Sequence, residues 1–233
     1  METRRLQRQV AELAALGEPA RRVLYFYVAD RQGDVSREDA ARAVGVSRSL
    51  AGFHLDRLVE EGLLEASFRR LSGRSGPGAG RPAKLYRRSS RQIEVSLPQR
   101  SYELAARILA TAIDASEAPK IRNALARTAR SVGKRIGAEA RARAGSRPSK
   151  KSLLVGMVTA LAAHGYEPER AAGELNLRNC PFHALASEHK DVVCGMNLAL
   201  IEGLVEGLQL PAARPVLAPE PGMCCVRLKL KTK

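Results

Sequence analysis

Apolar residues in the first sixty positions recur at helical spacing, in runs separated by turn chemistry. Residues 1–16 read as an amphipathic lead-in helix or arm. Glu18-Pro19 then opens a helix with proline at its first position, and Val23, Leu24, Phe26 and Tyr27 are expected on its buried face. Asp30 to Asp34, with Gly33, is a turn. Ser36 caps the next helix, Asp39 completes a short-armed capping box, and Gly45 breaks the run. Ser47 caps a further helix that ends at Gly62. On that helix Ala51, Leu55 and Leu58 fall together and should pack against Val44 and the first helix, with His54 beside them as a structural residue.

Past Gly62 the period changes. L-L-E-A-S-F-R-R-L reads as a strand, G-R-S-G-P-G-A-G-R-P as a long turn and A-K-L-Y-R-R as a returning strand, which makes a hairpin. The glycine-rich tip lacks the Lys-Ser/Thr and helix start of a phosphate-binding loop. Two short helices joined by a glycine-containing turn, with a hairpin behind them, form a winged helix-turn-helix pattern. Helices are expected from Ser101 to Ala115, from Pro119 to about Ala144 and from Lys151 to Gly165. Strands over 166–172 and 174–179, a short helix after Pro181, a longer helix through V-V-C-G-M-N and closing strands around Val216 and Val226 complete the chain. The expected fold is α+β, mostly α, in three parts. These are a DNA-binding domain over 1–97, a helical linker and dimerisation segment over 98–150, and a small α+β sensor domain over 151–233.

Charge sharpens this division. The chain carries 39 Lys and Arg against 24 Asp and Glu, a net +15, which points to a polyanionic partner such as double-stranded DNA. From Ser67 to Arg91 there are eight basic residues and no acidic one, whereas from Ser152 onward the two signs balance at eight each. A second basic block, Pro119–Lys151, holds eleven basic residues and one acid, Glu139. It either faces DNA flanks or is a solvated face. No apolar run reaches the roughly 18 residues of a membrane helix, and the first residues lack the apolar stretch of a secretory signal. A cytoplasmic protein is therefore expected, in a compartment where clustered thiols bind metal or do redox chemistry rather than form structural disulfides.

A recognition helix reads bases through residues near its N-terminus. The candidates are Ser47, Arg48, Ser49 and Gly52, with Phe53 and Arg57 further along. Arg48 suits a bidentate contact to guanine. Arg69, Arg70, Arg74, Arg81 and Lys84 on the hairpin suit phosphates or the minor groove, giving affinity rather than sequence choice. The stretch D-V-S-R-E-D-A-A-R-A-V-G-V-S-R-S-L-A-G-F-H-L-D-R-L-V-E-E-G-L-L, followed by G-R-P-A-K-L-Y, resembles the winged heads of ArsR-like bacterial regulators over about Glu18 to Arg88. The resemblance implies a homodimer on an inverted-repeat operator.

All four cysteines lie in the last quarter of the chain: Cys180 in N-C-P-F-H, Cys194 in V-V-C-G-M-N, and Cys224 and Cys225 in P-G-M-C-C. The spacing is not the C-x2-C of a zinc knuckle. Cys180 is stiffened by Pro181, Cys194 is expected at a helix start where the dipole favours thiolate, and Cys224 follows a Pro-Gly turn. Cys224 is expected to enter the final strand, where successive residues face opposite ways, so Cys224 and Cys225 should not reach one site together, which leaves three thiolates and one vacancy. The tail resembles the SufR-type iron–sulfur repressors in N-C-P-F-H, V-C-G-M-N-L-A-L-I-E-G and P-G-M-C-C-V. That resemblance implies a [4Fe–4S] or [2Fe–2S] cluster on Cys180, Cys194 and Cys224, with His183, His189, Cys225 or an outside ligand as the fourth. Zinc, thiol redox sensing and purely structural cysteines are the alternatives. An enzyme would pair Cys180 as nucleophile with His183 as base. No Asp or Asn is placed to orient that histidine, so the chain reads as non-enzymatic.

Overall fold

The computed structural model describes residues 2–69, 82–93, 95, 102–116, 118–220 and 222–231. It is α+β and mostly helical, and it divides into two compact units, Met1–Arg100 and Ser101–Lys233. None of the described helices is long and apolar enough to cross a membrane.

In the first unit, α1 (Glu2–Ala14) leads through one 3-10 turn into α2 (Pro19–Ala29). The Glu18 carboxylate caps α2 by accepting from the backbone N–H groups of Ala20 and Arg21. Strand β1 (Val35–Ser36), α3 (Arg37–Val44) and α4 (Arg48–Glu60) follow, then β2 (Leu64–Arg69) and β3 (Ala83–Arg88). Ser36 and Ser47 each accept from the backbone N–H three residues on, and Gly45 ends α3 at φ 74°, a left-handed turn that suits glycine. The strands form an antiparallel sheet in the order β1-β3-β2, paired from Leu64↔Arg88 to Arg69↔Ala83. Leu24, Val28, Ala40, Ala51, Leu55 and Leu58 are sealed from solvent around Tyr86. The buried face of α2 differs from the expected one. Leu24 and Val28 point inward while Val23 and Phe26 are exposed, because only one side of α2 meets α3 and α4.

The second unit holds α5 (Tyr102–Asp114), α6 (Pro119–Arg143), α7 (Lys150–Ala163), β4 (Pro168–Ala171), β5 (Glu174–Leu177), α8 (His183–Ala186), α9 (Lys190–Leu208), β6 (Ala213–Leu217) and β7 (Val226–Leu230). Its strands form a four-stranded antiparallel sheet in the order β4-β5-β7-β6. A separate helical segment over 98–150 is not what the structure contains, because α6 is the main packing partner of α9. Gly133 and Gly137 on α6 lie against Gly203 and Gly207 on α9. A Cβ at any of the four would overlap backbone of the facing helix, at Leu200, Leu204, Arg130 and Lys134 respectively. Spaced four apart on each helix, these glycines form notches that let the two backbones touch. Arg130 adds ion pairs to Glu202 at 3.3 Å and to Glu206, and the Arg141 guanidinium donates to the Leu208 carbonyl. Part of the second basic block is therefore occupied inside this unit.

Candidate functional site

Two surfaces bring the sequence-derived candidates together. At the start of α4, Ser47, Arg48, Ser49 and Leu50 are exposed, and Phe53 is 64% exposed, an unusual position for a large ring. Arg48 is held by Glu38 at 2.6 Å, so its guanidinium is tethered but outward. Gly52 is not exposed as expected: it is buried, and the Arg37 side chain lies over it. Arg57 points along the helix to Glu60 and Glu61, away from the N-terminal end. His54 is 6% exposed, with Arg21 Nε donating to its Nδ1 and Glu18 near its Nε2, in keeping with a structural role.

On the hairpin, Arg69 is exposed and 3.7 Å from Asp34, whereas Lys84 is drawn into the protein. Lys84 Nζ and the buried Tyr86 hydroxyl both donate to Asp56 Oδ1 at 2.7 Å, which makes Lys84 a buttress rather than a free phosphate contact. Partial burial pushes the Asp56 carboxyl up, but these two donors together bring it below its ordinary 3.8. Arg70, Arg74 and Arg81 lie outside the described residues.

The cysteines come from three places and converge. Cys180 sits in the loop after β5, where Pro181 packs against Gly165 and the Asn179 amide donates to the Gly165 carbonyl at 2.6 Å. Cys194 lies one turn inside α9 rather than at its start, so it is past the first-turn amides on which the dipole argument rested. Cys224 and Cys225 precede β7, and the chain bends at Cys225. Strand alternation therefore does not apply to the pair, and Cys225 lies with the other thiols instead of facing away from them. The Cys180 thiol, then the Cys225 thiol, hydrogen-bond to the Cys224 sulfur, which holds Cys224 well below the usual thiol range. Those same contacts, with burial, push Cys180 and Cys225 up, and Cys225 also contacts Cys194.

Cys180, Cys194, Cys225, His183 and Met223 line a cavity of about 350 Å³, with Cys224 deeper at 3% exposure. His189 is engaged elsewhere: its Nδ1 faces the Asp114 carboxylate at 2.7 Å and its Nε2 faces Thr111 Oγ1 at 3.3 Å. Behind Cys224 stands a polar pair that sequence reasoning missed. Asn197, wholly buried on α9, donates from Nδ2 to Cys224 Sγ at 3.3 Å, and the Tyr166 hydroxyl donates to Asn197 Oδ1 at 2.5 Å. The signal available in the sequence was a lone Asn three residues after Cys194, in the apolar run between Asp191 and Glu202.

Four soft thiol donors suit an iron–sulfur cluster or zinc. Among the described residues, however, no set of three or more His, Cys, Asp or Glu side chains stands arranged round a metal position. The donor chemistry fits, and the thiols would have to turn out of their hydrogen-bonded chain to surround such a group. Comparison with protein-family models, curated proteins and solved structures finds no match for this chain.

Proposed function

We propose that this chain is a cytoplasmic, homodimeric transcriptional regulator whose C-terminal thiols bind an iron–sulfur cluster and thereby control DNA binding. The observation that carries the sensing part is the convergence of the four cysteines from separate segments, with Cys180, Cys194 and Cys225 lining one cavity and the buried Cys224 beside them. Cys225, in contact with both Cys224 and Cys194, is the fourth ligand in this reading, with His183 at the rim. A bound cluster supplies a charge and geometry that change with oxidation or iron supply.

The DNA-reading part is a winged helix-turn-helix made of α2, α3, α4 and the β2-β3 hairpin, supported by the outward Ser47, Arg48, Ser49 and Phe53. Arg48 would read a base edge, and Ser47 and Ser49 phosphates. Dimerisation through α5 is supported by Tyr102, Leu104, Ile108 and Leu109, each more than half exposed on that helix. To act as a switch, the cluster must bind one dimer geometry better than another.

Anaerobically purified protein should be brown and carry iron and sulfide, and Cys180→Ser or Cys194→Ser should abolish the colour. Colourless protein after anaerobic reconstitution with iron and sulfide would overturn the cluster reading. Footprinting should show a protected inverted repeat. Binding with a steep salt dependence and no preferred sequence would instead indicate a nucleoid-type protein.

The hydrogen-bonded thiol chain favours one second reading, thiol redox sensing without metal. Cys180 and Cys224 would pass two electrons and two protons to hydrogen peroxide, giving a disulfide and two waters. Peptide mapping of the metal-free, peroxide-treated chain would find that bond or exclude it.

A further inference from the structure

Cys194 and Asn197 lie one helical turn apart on α9, so both face the same neighbours. Asn197 is fully buried, and burial of an amide is costly unless its groups are paired. Its two ends are paired with different partners: the oxygen accepts from Tyr166, and the nitrogen donates to Cys224 Sγ. The Tyr166 hydroxyl has only one orientation that serves Asn197 Oδ1, and this fixes the amide so that its N–H faces sulfur. Tyr166 is itself clamped, 4% exposed, with its ring edge-on to Phe182 next to the Cys180 loop.

Sulfur is a weak acceptor, so nothing in ordinary core packing calls for a buried amide aimed at it. Ligands of metal centres, by contrast, are oriented by outer hydrogen-bond donors. We propose that Asn197, aligned by Tyr166, is the positioning residue that orients Cys224 as a metal ligand and tunes the metal–sulfur bond. The inference rests on the metal-binding reading of the four thiols and adds to it a donor outside the ligand set. An N–H aimed at a ligand sulfur withdraws electron density from the metal–sulfur bond and stabilises the sulfur lone pairs.

The test uses the full chain, reduced and metal-free, titrated anaerobically with cobalt(II), with zinc(II) competing. Asn197→Leu should bind cobalt about 10–100-fold more weakly than the parent. Its sulfur-to-cobalt charge-transfer band should move to longer wavelength, because the sulfur lone pairs rise in energy without the N–H. Tyr166→Phe, which removes no ring volume, should shift the same band by a smaller amount. The double variant should match Asn197→Leu alone, since Tyr166 acts through Asn197.

Folded variants with the parent's affinity and band position would overturn the inference while leaving the metal site standing. If Asn197→Leu fails to fold, Tyr166→Phe decides by the same two readouts. A parent chain that binds neither cobalt, zinc nor an iron–sulfur cluster would remove the metal site and this inference together.

Discussion

The two units solve the same packing problem by opposite means. The first seals Leu24, Leu55, Leu58 and Tyr86 with interlocking side chains, and leaves the polar start of α4 outside. The second presses α6 and α9 together through Gly133, Gly137, Gly203 and Gly207, and places its reactive groups inside. A surface that reads another macromolecule needs exposed side chains on a rigid support. A site that holds thiols in a fixed order needs protection from solvent and from other thiols. The glycine contact also ties α9, which carries Cys194 and Asn197, to α6 without intervening side chains that would absorb a small shift.

The comparison breaks most sharply at the glycines. Gly203→Leu drives a side chain into the Arg130 carbonyl, and should cost about 3 kcal/mol or more, seen as loss of the cooperative transition of the second unit. Gly195, on the same helix with nothing within 4 Å of a built Cβ, is the control. Gly195→Ala should be tolerated and add up to about 1 kcal/mol through helix propensity.

In the first unit, Leu58→Ala opens a cavity in a side-chain core and should cost about 2–5 kcal/mol by denaturant titration. Under the proposed cluster reading, iron and sulfide content should match the parent's, which separates the two units functionally. Arg48→Ala should leave stability within about 0.5 kcal/mol, since its pair to Glu38 is exposed, yet lose about 1–3 kcal/mol of operator discrimination by competition binding.

Smallest is Tyr86→Phe, about 1 kcal/mol for one hydrogen bond to Asp56. Asp56 titrates below its ordinary 3.8 when folded, so its contribution is complete above that pH and is lost as the pH falls through the lowered folded value. Acid unfolding of the parent should therefore begin below about pH 4 in the Asp56 region, with the dependence removed in Asp56→Asn.

Much of the backbone was legible in the chain. Ser36 and Ser47 as caps, Gly45 as a helix stop, the hairpin after Gly62 and both small strand pairs of the tail follow from local chemistry, which acts within a few residues. The inward Ala51, Leu55 and Leu58 followed from periodicity alone. The exposure of Phe26, the burial of Gly52 and the capture of Lys84 by Asp56 did not, because each depends on which neighbour covers which side.

The tail shows the same boundary. Sequence by itself determined that four thiols lie on a charge-balanced, mixed α and β segment, since residue identity and local propensity are written in the chain. Tertiary structure alone decided that Cys225 joins the group, that His189 turns away to Asp114, and that Asn197 aims its amide at Cys224. Those outcomes depend on a bend before β7 and on residues 27 or more positions apart meeting within the unit, and such long-range contacts have no local signature.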